Sequence, residues 1–218
     1  MRATKIGIEK NGRGEHSGPM SEATDRVSSK ITVVKPNKLR NRINLKHQNR
    51  AIKRPHYPLP SIEEVSTSLG KAKVISVLHA KSGFWQVLLD EASSRLTTFN
   101  TPFGQYRWLR MPFGISSAPE EFQKRMNDTF GDLKGTAVIA DDLLVYRDQD
   151  NMETVSSDHD KNLQIVLERA RERNLTLNKD KVHLRLTEVP YHGHVLTADG
   201  LKPDPKKVEV NTDDAKAH

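Results

Sequence analysis

A mixed α/β (α+β) fold is what this sequence predicts, and three observations predict it. Apolar runs rich in β-branched residues, ITVV at 31–34 and VISVL at 74–78, have the composition and length of strands. Ser-x-x-Glu signals at Ser61/Glu64 and Ser117/Glu120 each precede apolar residues at helical spacing. The stretch AVIADDLLVY, 137–146, has two apolar arms around Asp141 and Asp142, which suits a tight β-hairpin better than a helix of that length.

Residues 1–20 are polar, glycine-containing and aperiodic, the pattern of a flexible tail. KITVVKPNKLRNRINLKHQN then reads as a strand, a Pro-Asn turn and a returning strand with a positive face, basic residues being dense from 35 to 54. After the proline-punctuated HYPLP, Ser61 opens a short helix with Ile62, Val65 and Leu69 on one face, closed by Gly70. VISVL, apolar but for Ser76 and rich in β-branched residues, reads as a buried strand and ends at His79. Pro119 sits in the first turn of the next helix, whose Phe122, Met126 and Phe130 read as core. Beyond the hairpin, Leu163, Val166, Leu167 and Ala170 form a helical stripe, with Asn174 as its stop. VPYHGHVLTADG reads as a second hairpin, and from Leu201 onward KPDPKK is too proline-rich for a regular element.

With 218 residues, 35% hydrophobic and 29% charged, the chain can bury one sizeable core or two small ones. No apolar run approaches the roughly 18 residues of a membrane span, and the first residues have no apolar signal core, so an intracellular protein without membrane partners is expected. The absence of cysteine excludes disulfides, cysteine nucleophiles and thiolate metal sites. The net charge of +7 suits a polyanionic partner, and equally a basic soluble protein with no such partner.

Adjacent carboxylates repel, so two in an apolar hairpin call for cations. Magnesium prefers oxygen ligands, and two ions about 3.5–4 Å apart can bridge the attacking and leaving oxygens of a phosphoryl transfer, usually with a further carboxylate from a neighbouring strand. The competing reading is that Asp141 and Asp142 merely make a turn.

The segments HYPLPSIEEV, AKSGFWQVLLDEASSRLTTFNTPFGQYRWLRMPFGISSAPEEFQ, IADDLLVY and YHGHVL, in this order, resemble the reverse transcriptase of gypsy-type long-terminal-repeat retrotransposon Pol polyproteins. The resemblance implies a right-hand polymerase with fingers and palm, an antiparallel palm sheet backed by helices, and a thumb mostly missing. It assigns 1–20 to a tail, 21–56 and 87–117 to fingers, and 57–86 and 118–198 to palm, the latter carrying the Asp-Asp hairpin and primer grip. Residues 199–218 would start a thumb or form a disordered tail.

The implied activity is RNA-directed DNA synthesis from dNTPs on an RNA or DNA template-primer, with two Mg2+ ions. Asp141 and Asp142 match the metal-binding acids, with Ile139 where an aromatic residue is usual. Phe84 matches the residue that closes the sugar pocket against a ribose 2′-hydroxyl, beside the reading of an ordinary core aromatic. Arg40 falls at a triphosphate contact, or on a solvated basic hairpin. Phe113 and Gly114 belong to a loop against the template and incoming base. Lys181 matches a general acid for the pyrophosphate leaving group, or is simply exposed. Tyr191, His192, Gly193 and His194 match the primer grip.

One departure bears on all of this. The family's remaining metal ligand is an aspartate at the end of the strand before AKSGFWQ, and this chain has His79 there. Imidazole bonds through nitrogen and matches magnesium poorly. Synthesis is therefore expected to be impaired, and a non-catalytic nucleic-acid-binding or interaction relic is the rival reading. The turn KPNKLR also lacks the expected glycine after Asn37, and Asn44 and His47 stand where acids are usual.

Overall fold

The computed structural model describes residues 16–203 except 23, 25–26, 36–37, 44, 46–48, 51, 71, 148–151, 192–193 and 198–199. Its elements are β1 (Ser17–Pro19), β2 (Lys30–Lys35), β3 (Lys38–Ile43), α1 (Ile62–Leu69), β4 (Val74–His79), α2 (Glu91–Arg95), β5 (Phe99–Thr101), β6 (Gly104–Trp108), α3 (Ala118–Phe130), β7 (Thr136–Ile139), β8 (Asp142–Arg147), α4 (Met152–Glu172), β9 (His183–Leu186), β10 (Glu188–Tyr191), β11 (His194–Thr197) and β12 (Gly200–Pro203). Short 3-10 turns lie at Gly83–Gln86 and Lys179–Lys181. The chain forms two units, one of Met1–Pro58, Lys81–Arg125 and Arg171–Thr176, the other of Leu59–Ala80, Met126–Ala170 and Leu177–His218.

The first unit holds an antiparallel sheet in the order β1-β6-β5 and the antiparallel pair β2-β3, the hairpin expected from its β-branched run. Strand β1 corrects the reading of residues 1–20 as a tail, because Ser17–Pro19 pair with Tyr106, Arg107 and Trp108. A strand this short carries no periodicity of its own and forms only because a partner edge is there. Trp108 is buried and packs edge-on against Trp85, with centroids 4.8 Å apart.

The second unit holds the antiparallel sheet β7-β8-β4-β9 and the antiparallel meander β10-β11-β12. Val74 to Leu78 of β4 are all buried, which is why the run does not alternate; its one polar residue, Ser76, accepts from Arg185 N–H at 3.0 Å. Ile75 and Val77, two residues apart on one face, join Val65 and Leu69 of α1, Ile139, Leu144, Val189 and Leu196 in a single core cluster. The expected capping box opens α1: Glu64 N–H donates to Ser61 Oγ and Ser61 N–H to Glu64 Oε2. Such a cap contributes about 1 kcal/mol. Asn174 ends the turn after α4 in the left-handed conformation, φ 54°, which asparagine tolerates better than most residues.

Three expectations are corrected here. Residues 200–203 form β12, Leu201 pairing with Leu196, so the chain is regular as far as Pro203, the rest of KPDPKK lying outside the described residues. On α4, Leu167 is exposed, and the buried face runs through Val155, His159, Asn162, Val166 and Ala170. The true face thus includes two polar residues that a hydrophobic pattern passes over. In the other unit, Glu120 of α3 accepts from Arg54 Nε at 3.0 Å and its buried Oε2 has no hydrogen-bond partner among the described residues, so its carboxylate serves a long-range ion pair rather than a local capping box.

Candidate active site

In the second unit, the register of β4 against β8 sets His79 opposite Asp142. Directly opposite residues of antiparallel strands share a face. The imidazole Nδ1 lies 2.8 Å from Asp142 Oδ1 and donates to it. The turn between β7 and β8 consists of Ala140 and Asp141, since Ile139 pairs with Asp142 across it. Asp141 is therefore in the turn, while Asp142 opens the strand. Ala140 carries φ 52°, a conformation costing an L-residue about 1 kcal/mol, and it is held by the closed ladder on either side. The Asp141 carbonyl accepts from Ala80 N–H at 2.7 Å, which ties the turn to the end of β4.

His79 reaches both acids. Its Nε2 lies 3.3 Å from Asp141 Oδ2 and 3.2 Å from Lys181 Nζ. In the neutral ring Nε2 accepts from the lysine; in the imidazolium it donates to Asp141. The His79 side chain is 17% exposed, Asp142 27% and Asp141 50%, so water still solvates the outer acid. Lys181 arrives by backbone bonds: Leu177 bridges Ala80, Asn178 N–H donates to the His79 carbonyl at 2.8 Å, and Lys181 N–H donates to the Asn178 carbonyl at 3.0 Å.

A magnesium pair does not fit this donor set. Of His79, Asp141 and Asp142, the histidine offers nitrogen rather than oxygen, its Nδ1 is bonded to Asp142, and the Lys181 ammonium stands 3.2 Å from its Nε2. Among the described residues, no group of three or more histidine or acidic side chains is disposed to hold a metal ion.

The first unit holds other predicted residues. Phe84, half-buried in the 3-10 turn Gly83–Gln86, packs against Phe113 at 5.3 Å and edge-on against Phe122 at 5.8 Å. A Cβ on Gly83 would fall 2.6 Å from Phe122 Cζ, so glycine is what lets this turn approach α3. Phe113 is exposed and Gly114 takes φ 105°, a value that glycine adopts freely. Arg40 pairs through its backbone with Val33 in the β2-β3 ladder. In the second unit Tyr191 pairs with His194 across the β10-β11 turn, while His192 and Gly193, like Asn37, Asn44 and His47, lie outside the described residues.

Two amide side chains that clasp loops escaped the sequence reading. Gln86 is buried; its Nε2 donates to the Lys81 and Thr176 carbonyls at 2.7 and 2.9 Å, and its Oε1 accepts from Thr176 N–H at 2.8 Å. Asn49 clasps the loop at Gly114, donating to the Gly114 carbonyl at 2.8 Å and accepting from Ser116 N–H at 3.0 Å. Thr176 lies 90 positions from Gln86, and Gly114 and Ser116 lie 65 and 67 from Asn49, so no local pattern marks either amide.

The family model described as reverse transcriptase (RNA-dependent DNA polymerase) matches residues 29–196. The chain belongs to the reverse transcriptase family. This reverse transcriptase chain is 33% identical over 198 residues to the retrovirus-related Pol polyprotein from transposon 297 of Drosophila melanogaster, covering 90% of this chain and 18% of that protein. It is 38% identical over 159 residues to the Pol polyprotein from transposon opus of the same organism, covering 71% of this chain and 15% of that protein. It thus spans less than a fifth of either relative's length. A foamy viral protease-reverse transcriptase, solved in complex with double-stranded DNA, superposes with a TM-score of 0.74 at 22% identity, over 86% of this chain and 32% of that one. That likeness establishes a polymerase fold shared with reverse transcriptases.

Proposed function

We propose that this reverse transcriptase-like domain derives from a retrotransposon polymerase built for template-directed DNA synthesis from dNTPs, and that His79 strongly impairs that synthesis. The observation that carries the reading is the imidazole bonded at 2.8 Å to one catalytic-type acid and 3.3 Å from the other. Asp141 and Asp142 are the acids of a two-metal nucleotidyl transfer in this reading, and Mg2+ would bind them only once His79 and Lys181 give way. In the same reading Phe84 guards the sugar, Phe113 and Gly114 face the template and incoming base, Arg40 meets the triphosphate, and Tyr191, His192, Gly193 and His194 grip the primer. The net charge of +7 favours a template-primer partner even without synthesis.

Primed synthesis on an RNA template with magnesium tests it. His79→Asp is expected to raise the rate at least about 100-fold over the unaltered chain, the scale of one preorganised charge stabiliser. Adding Asp141→Asn to His79→Asp is expected to abolish the gain. Efficient synthesis by the unaltered chain would sink the proposal.

A further inference from the structure

We infer that the Asp141–Asp142 pair is offset from within the chain, by the Nδ1–H of His79 and the nearby Lys181 ammonium, in place of divalent cations. The inference rests on the same acid cluster as the reading above and deepens it by giving Lys181 a different task. Adjacent carboxylates repel, and hydrogen-bond donors or positive charge beside them relieve that repulsion. Here Asp142 has the Nδ1–H of His79, and the same ring stands 3.3 Å from Asp141 and 3.2 Å from the Lys181 Nζ.

The arrangement is built into the backbone as well as the side chains. Asn178 bonds to the His79 carbonyl and starts the turn that carries Lys181, and its side chain accepts from Asp180 N–H at 3.2 Å. An aspartate at position 79 would add negative charge beside both acids, where His79 now stands with Lys181 against its ring, and would create the demand for metal. Histidine removes that charge and occupies Lys181, so the lysine is held on the ring instead of being free to meet a leaving group. The chain should therefore be indifferent to magnesium in its folding and weak in divalent-metal binding.

Calorimetric titration of the full chain with Mn2+, paired with thermal melting in EDTA and in Mg2+, tests this without reference to synthesis. For the unaltered chain the melting temperature is expected to be the same in EDTA and in Mg2+, and Mn2+ binding at least about tenfold weaker than for His79→Asp. His79→Asp is expected to melt lower in EDTA and to recover with Mg2+. Lys181→Met, which leaves His79 in place, is expected to bind Mn2+ about tenfold more tightly than the unaltered chain, because a cation beside the pair is gone. It decides the matter if His79→Asp does not fold. Mn2+ binding by the unaltered chain as tight as that of His79→Asp, or no gain in Lys181→Met, overturns the inference. If His79→Asp binds Mn2+ but still fails to extend a primer, internal neutralisation stands and His79 is not the cause of impaired synthesis.

Discussion

Gln86 in the first unit and His79 in the second solve similar problems with opposite chemistry. Gln86 is neutral and buried, and each of its three bonds ends on backbone. His79 is only partly buried, its side-chain bonds end on other side chains, and those partners are partly in water. A buried amide that loses its partners leaves backbone groups with nothing to replace them. Exposed charges that lose a partner are hydrated instead, so the cluster around His79 can change composition without the fold failing. The comparison teaches why a cluster of partly exposed side chains tolerates a change of residue that a buried amide clamp does not.

The largest expected effect on stability tests the neutral clamp. Gln86→Leu strands the Thr176 N–H and two carbonyls, and a loss of about 3 kcal/mol in urea unfolding is expected. An unchanged midpoint would show that water replaces the amide and would erase the contrast. A smaller effect is expected at the acid cluster: His79→Ala should cost less than about 1 kcal/mol in the same measurement, because both acids are open to solvent.

The smallest effect concerns pH. His16 packs against Trp85 at 3.9 Å, and its pKa is held below the ordinary 6.5 by burial and then by the Arg110 charge. Protonation is thus easier in the unfolded chain. The stability this group contributes is complete above about pH 6.5 and is lost as the pH falls below it. Thermal melting from neutral to mildly acidic pH should show a shallow decline that His16→Gln reduces.

What was legible in the sequence is local. The α1 capping box, the apolar β4, the β7-β8 hairpin and the asparagine stop after α4 each depend on residues a few positions apart, so their signals survive in a linear reading. Strands β1 and β12 did not, being short segments ordered by a partner strand. Leu167 was misread because Val155, His159 and Asn162 take the buried face in its place.

The active-site reading divides the same way. By itself, the sequence determined that two acids lie on a hairpin, that histidine occupies position 79, and which family the motif order resembles. Only the tertiary structure decided that this imidazole meets both acids and Lys181. That outcome depends on the β4-β8 register, in which a slip of one residue would send His79 to the other face, and on the Asn178 bond that brings in a segment 102 positions away from His79. Contacts of that kind are set by which strands pair, and strand pairing is a property of the whole packed core rather than of any stretch of chain.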